Sequence, residues 1–110
     1  MIVKLLETEI ELSPQMKWHR ADQDFKAWSH KDLMKYEAVY FANEENQQGR
    51  SVYWVNESEL GMTDDPKQTA LFLKNNANIV ARALQEIYPQ EEILKTPLKL
   101  LRFVFQNTKL

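Results

Sequence analysis

Residues Asp65 to Tyr88, DPKQTALFLKNNANIVARALQEIY, restrict the fold more than any other stretch, because they combine a start signal, a sustained helical period and a stop. Asp65 can cap a first turn, Pro66 suits the first helical position where no amide donor is needed, and Gln68 stands where a capping box wants it. Pro89 cannot continue a helix and closes the run. Leu73, Ala77, Val80, Leu84 and Ile87 make an apolar stripe, with Lys67, Lys74, Asn75, Asn78, Arg82 and Gln85 on the opposite side. The spacing predicts one helix over 65–88. Three residues break the pattern: Leu71 falls among the polar group, and Thr69 and Asn76 fall inside the apolar arc. An isolated exposed leucine is ordinary, and polar residues in such an arc usually bond nearby backbone. The alternatives are an interface role for Leu71 and a ligand or register-setting role for Asn76.

Around this segment the chain alternates strand and helix signals. Residues 1 to 12 read as a strand, with Leu6, Ile10 and Leu12 on one face, Glu7, Glu9 and Glu11 on the other, and Ser13–Pro14 as the end. From Pro14 to His30, Trp18, Ala21, Phe25 and Trp28 lie within an arc of about 80° on a helix. Alternatively, Ser29 followed by Asp32 caps a short separate helix through Met34, leaving the preceding segment partly irregular. KYEAVYFAN at 35 to 43 and SVYWVN at 51 to 56 read as a hairpin turning near Gly49. Pro89 to Lys95 adds a helical turn, Thr96 and Pro97 break it, and LKLLRFVFQ at 98 to 106 reads as a buried strand.

The order is strand, helix, strand, strand, helix, strand, which implies an α+β fold of the ferredoxin-like kind, an antiparallel sheet with two helices on one face. With 44% apolar residues, three tryptophans, four tyrosines and five phenylalanines, residues 1–110 can bury one core and read as a single domain. The strands are more apolar than such a sheet requires, since one covered face should give alternation. Val39 and Phe41 oppose Tyr36, Ala38 and Tyr40; Val52 and Trp54 oppose Tyr53 and Val55; Leu101, Phe103 and Phe105 oppose Leu98, Leu100 and Val104. Something must cover the second face: a second copy, another protein, a ligand, or residues 13 to 34 of the chain itself.

Composition narrows the chemistry. No cysteine is present, which removes thiol catalysis and thiolate zinc sites and suggests a reducing compartment. No leader or membrane-span pattern is found at residues 1–12, so a cytoplasmic protein is expected; the sequon Asn56-Glu57-Ser58 is then without meaning. A net charge of −2, with 14 basic and 16 acidic residues interspersed, lacks the clustered cations of a nucleic-acid binder. Gly49, Arg50, Tyr53 and Trp54 loosely suit an RNA-stacking strand, but without a positive field they make a poor site. Two glycines cannot build a phosphate-cradling loop, and no nucleophile, metal or cofactor motif is found. On one helix, His19 and His30 would lie about 16 Å apart, too far to share a metal, and both would face solvent.

These features lead to a small cytosolic module that binds another protein or itself, as an adaptor, inhibitor, immunity-type or regulatory protein. Tyr40, Tyr53, Trp54, Phe103 and Phe105 are the expected contact residues, with no catalytic residue, metal or cofactor and no nucleic-acid or membrane partner. The rival expectation is a ferredoxin-like homodimer, a binding domain or an enzyme, enclosing a small apolar ligand or substrate with His19 or His30 near the mouth of the pocket.

Overall fold

The N-terminal strand is in fact a hairpin. In the computed structural model, which describes residues 1–14 and 19–101, β1 (Ile2–Leu5) turns at Leu6 and Glu7 into β2 (Thr8–Glu11), pairing Val3 with Ile10 and Leu5 with Thr8. Parity is the physical signature: Val3 and Leu5 are odd, Ile10 and Leu12 even, and all four are buried together. A two-residue turn produces that switch, because it reverses the chain without changing the face. The turn lacks its usual Asn or Gly, and Leu6 adopts a left-handed φ of 56° instead. That conformation disfavours a branched side chain by about 1–2 kcal/mol. The Leu6 N–H donates to the Leu60 carbonyl at 3.0 Å, and its side chain packs on the core.

The segment expected as a helix over 14–30 is not one helix. β3 (His19–Arg20) and a run of turns occupy residues 19 to 29, and α1 (His30–Lys35) follows. Ser29 caps α1, its Oγ accepting from the Asp32 N–H at 3.1 Å, as the alternative reading of this segment required. The hairpin is present as β4 (Tyr36–Phe41) and β5 (Ser51–Asn56), closed near Gly49, whose φ is 96°. β6 (Glu59–Thr63) then extends the sheet. It follows an Asn56-Glu57-Ser58 turn in which Asn56 Oδ1 accepts from the Ser58 N–H at 2.9 Å.

The 65–88 segment divides. Asp65 does cap a turn through Pro66 and accepts from the Lys67 N–H, but that turn is a 3₁₀ helix only three residues long, Pro66–Gln68. Ala70–Leu73 forms β7, and α2 runs from Lys74 to Ile87. Ala70, Leu71 and Phe72 are all fully buried, which is what a strand with both faces covered produces and a one-faced helix cannot. Leu71, the outlier on the helical wheel, simply belongs to the other face.

At the C-terminal side, β8 (Ile93–Pro97) pairs along β4, and residues 98 to 101 are helical. The strand expected over 98–106 is therefore displaced toward the N-terminus, with Thr96 and Pro97 inside β8; residues 102–106, including Phe103 and Phe105, lie outside the described residues.

The fold is mixed α+β, but the specific ferredoxin-like order is not confirmed. The sheet has eight strands in the order β2-β1-β6-β5-β4-β7-β3, with β8 also on β4 and β1 parallel to β6. β4 holds it together: β8 lines one edge, while β7 at Tyr36–Glu37 and β5 at Tyr40 share the other.

Two apolar clusters result. α2 covers one face through Ala77, Val80 and Leu84, packed over Val39, Phe41 and Phe72. On the opposite face Ala38, Tyr40 and Leu71 are covered by Phe25, Trp28 and Leu33 and by Leu98 and Leu101. For β4 and β7, then, the cover comes from the chain's own residues 21 to 36 and 98 to 101.

Asn76 explains its place in the apolar arc. Fully buried in the first turn of α2, its Oδ1 accepts from the Ser13 N–H and its Nδ2 donates to the Ser13 carbonyl, both at 2.8 Å. It pins the end of the first hairpin to the helix. Asn76→Leu keeps the branched shape but removes both bonds and adds bulk, and a loss of about 2–3 kcal/mol is expected in urea unfolding. A loss under about 0.5 kcal/mol, within the range of ordinary surface changes, would remove the pinning role.

Candidate functional site

Of the five residues expected to make contacts, the three that are described, Tyr40, Tyr53 and Trp54, do not converge on one exposed surface. Tyr40 is only 3% exposed, its hydroxyl bonded to Thr96 Oγ1 and the Arg50 guanidinium 5.8 Å from its ring centroid. It is a core residue, because the face it occupies on β4 is the one closed by the second cluster. Trp54 points to the α2 side of the sheet, half-buried, with its ring 5.7 Å from that of Phe72. Phe103 and Phe105 lie outside the described residues. Among the described three, only Tyr53 stands on the outer face beyond that cover, and there it meets a feature the pairing of β5 and β6 creates.

Tyr53 is the register partner of Gly61. A side chain on Gly61 would come within 3.1 Å of both Tyr53 Cε1 and Val55 Cγ2, so the tyrosine and valine lie across bare backbone. Val55 is 46% exposed. Val55, two residues after Tyr53, shares its face, and the register shifts between Trp54 and Asn56. Two strands away Ile2 is 59% exposed. None of β1, β2, β5 or β6 contributes to the second cluster, so among the described residues the second layer stops at β4, β7 and β8.

Register sets the charges on this wing. Lys4 lies between Glu9 on β2 and Glu59 on β6, and Ile2 lies beside Glu11. Glu11 pairs with the N-terminal ammonium at 3.1 Å, and Asn56 Nδ2 donates to Glu59 Oε1. The outer face is thus a small apolar strip of Ile2, Tyr53 and Val55 with an acidic surround. Sequence inspection finds Val55 opposite Trp54, but Gly61 acquires meaning only from its register with Tyr53, and Ile2 only from the β1–β6 pairing, a parallel contact with no local signature.

Of the two histidines, both expected to face solvent, only His19 departs from expectation. His19 is 7% exposed rather than solvated: Trp28 and Tyr36 meet its ring edge-on at 4.8 Å each, and Nδ1 lies 3.1 Å from Gln23 Oε1. With residues 19 to 30 not forming a helix, the chain folds the ring under Trp28. His30 is exposed, with Lys99 Nζ 3.0 Å from Nδ1. Among the described residues no group of three or more metal-ligating side chains is found, and no helix is long and apolar enough to cross a membrane.

An open cavity of about 410 Å³ lies between α1 and the start of α2, lined by Lys31, Met34, Lys35, Leu73, Lys74 and Asn75. Neither histidine lines it. Comparison with protein-family models, with curated proteins and with solved structures gives no match.

Proposed function

We propose that this chain is a protein-binding module whose contact surface is the outer face of the β2-β1-β6-β5 wing. The observation that carries it is the uneven second layer: it buries the outer faces of β4 and β7 but leaves Ile2 and Val55 about half exposed beside Tyr53. The partner is a protein presenting an apolar anchor flanked by lysine or arginine, because Glu9, Glu11 and Glu59 outnumber Lys4 and the N-terminal ammonium on this face. The same excess opposes face-to-face pairing of two copies. Four short strands give a patch on the order of 15 Å by 15 Å, smaller than the ~800 Å² per partner of a standard stable complex. A reversible, salt-sensitive contact centred on Tyr53 and Val55 fits that size.

Cross-linking in the native host, followed by reconstitution with the purified captured protein, tests the proposal. Tyr53→Ser with Val55→Lys is expected to weaken binding at least about tenfold, a loss of about 1.4 kcal/mol, with the circular dichroism spectrum unchanged. Amide exchange in the complex should slow in β5, β6 and β1. Unchanged affinity of the double variant, or protection confined to other elements, would overturn the assignment.

A further inference from the structure

Three lysines line the cavity between α1 and α2, and their placement is unfavourable for the protein alone. Lys31 and Lys35 stand one turn apart on α1, a like-charge spacing that weakens a helix, and Lys74 opens α2. The start of α2 already carries the positive end of the peptide dipoles, and its first turn has no acidic residue and no side-chain cap. None of the three lysines is in an ion pair among the described residues, and no carboxylate lines the cavity; Asp32 of α1 is not part of its wall. Close by, Lys99 approaches His30 and adds a further cation next to α1. Solvated surface lysines need no common focus. These three share one cavity whose other walls include the apolar Met34 and Leu73.

From this arrangement we infer that the cavity binds a small organic anion, a phosphate or carboxylate carried on an apolar body. The lysines supply the counter-charge as point donors, and Met34 and Leu73 receive the apolar part. A cavity of about 410 Å³ falls within the size range of small-ligand sites. The site is separate from the acidic sheet wing, so its test is independent of the protein-binding proposal. Local arrangements that oppose stability recur where a ligand restores the balance.

Amide chemical-shift titrations with phenyl phosphate, hexanoate and inorganic phosphate test the inference on the full chain. Saturable shifts confined to residues 31–35 and 73–76 are expected, with phenyl phosphate or hexanoate binding at least about tenfold tighter than inorganic phosphate. Which of the two organic probes binds tighter identifies the headgroup. Lys35→Glu and Lys74→Glu should each weaken the better probe about tenfold or more. Lys74→Glu should also raise the unliganded Tm by about 2–4 °C, because it replaces a cation at the positive end of α2 with an anion. Shifts that fail to saturate by about 10 mM probe, well above the millimolar range of a weak site, overturn the inference. So does binding by Lys31→Glu/Lys35→Glu with unchanged affinity.

Discussion

Leu71→Asp is expected to unfold the protein. Leu71 is fully buried at the centre of the second cluster, on β7, with Ala38 and Tyr40 of β4 beside it and Leu98 and Leu101 above. Removing its side chain alone should cost about 2–5 kcal/mol, and placing a carboxyl group there without a partner adds several more. The sum is on the order of 5 kcal/mol or greater, comparable with the whole stability of many domains. Circular dichroism and one-dimensional proton spectra read the outcome directly. Leu71→Met, which conserves volume, should stay folded and lose less than about 1.5 kcal/mol. The pair of variants separates two structures for this stretch. On a continuous 65–88 helix, Leu71 would stand beside Lys67, Lys74 and Asn75, and aspartate there would be nearly harmless. A folded Leu71→Asp protein would therefore refute β7 as an internal strand.

Gly49→Val is the second large effect. Gly49 sits at φ 96°, and a Cβ built on it lies 2.9 Å from the Thr63 backbone nitrogen and 3.0 Å from the Met62 carbonyl carbon. Both obstacles are main chain of β6, so no side-chain rotation relieves them. The neighbouring Arg50 N–H donates to the Thr63 carbonyl at 2.9 Å, and displacing β6 would stretch that bond. A β-branched residue in this conformation adds backbone strain of about 1–2 kcal/mol to an overpacking cost of about 1–3 kcal/mol. A total near 3–4 kcal/mol is expected from urea midpoints, with Gly49→Ala falling between valine and wild type. An alanine variant within about 0.5 kcal/mol of wild type would show that β6 does not approach so closely.

Much of the local architecture is legible in the sequence, and the failures share a cause. The β4–β5 hairpin and its Gly49 turn follow from aromatic and β-branched runs around a glycine, and the Ser29 cap of α1 follows from its side-chain chemistry. β7 has no separate signal because Ala70, Phe72 and Leu73 fall in or beside the apolar arc of α2, so periodicity does not separate a strand feeding directly into a helix. The wheel nonetheless carried the clue in Leu71 and Asn76, one a core residue of the opposite face and the other a clamp on Ser13. The first hairpin escaped notice because Leu6 occupies a position normally marked by asparagine or glycine. The two apolar faces of β4 were read correctly. Their cover was partly local, built from Phe25, Trp28 and Leu33, and this limits the surface left for a partner to the wing beyond β4. Of the three expected contact residues that are described, only Tyr53 stands on the outer face of that wing, since Tyr40 is enclosed and Trp54 belongs to the α2 side. The lysine cavity depends on where β7 places Lys74 relative to α1, a distance that no sequence spacing encodes.

The three-way sharing of β4 has a bearing on biosynthesis. Its partners on one side, β5 and β7, follow within the next segments of chain, but the strand that satisfies the opposite side, β8, begins only at Ile93. A nascent polypeptide emerging from the ribosome therefore holds the amides and carbonyls of Tyr36–Phe41 that face β8 open until Ile93–Pro97 has been made. An apolar strand waiting in that state is a template for intermolecular pairing. Expression yield of this protein should consequently respond more to chaperone supply and translation speed than the stability of the finished fold alone would suggest.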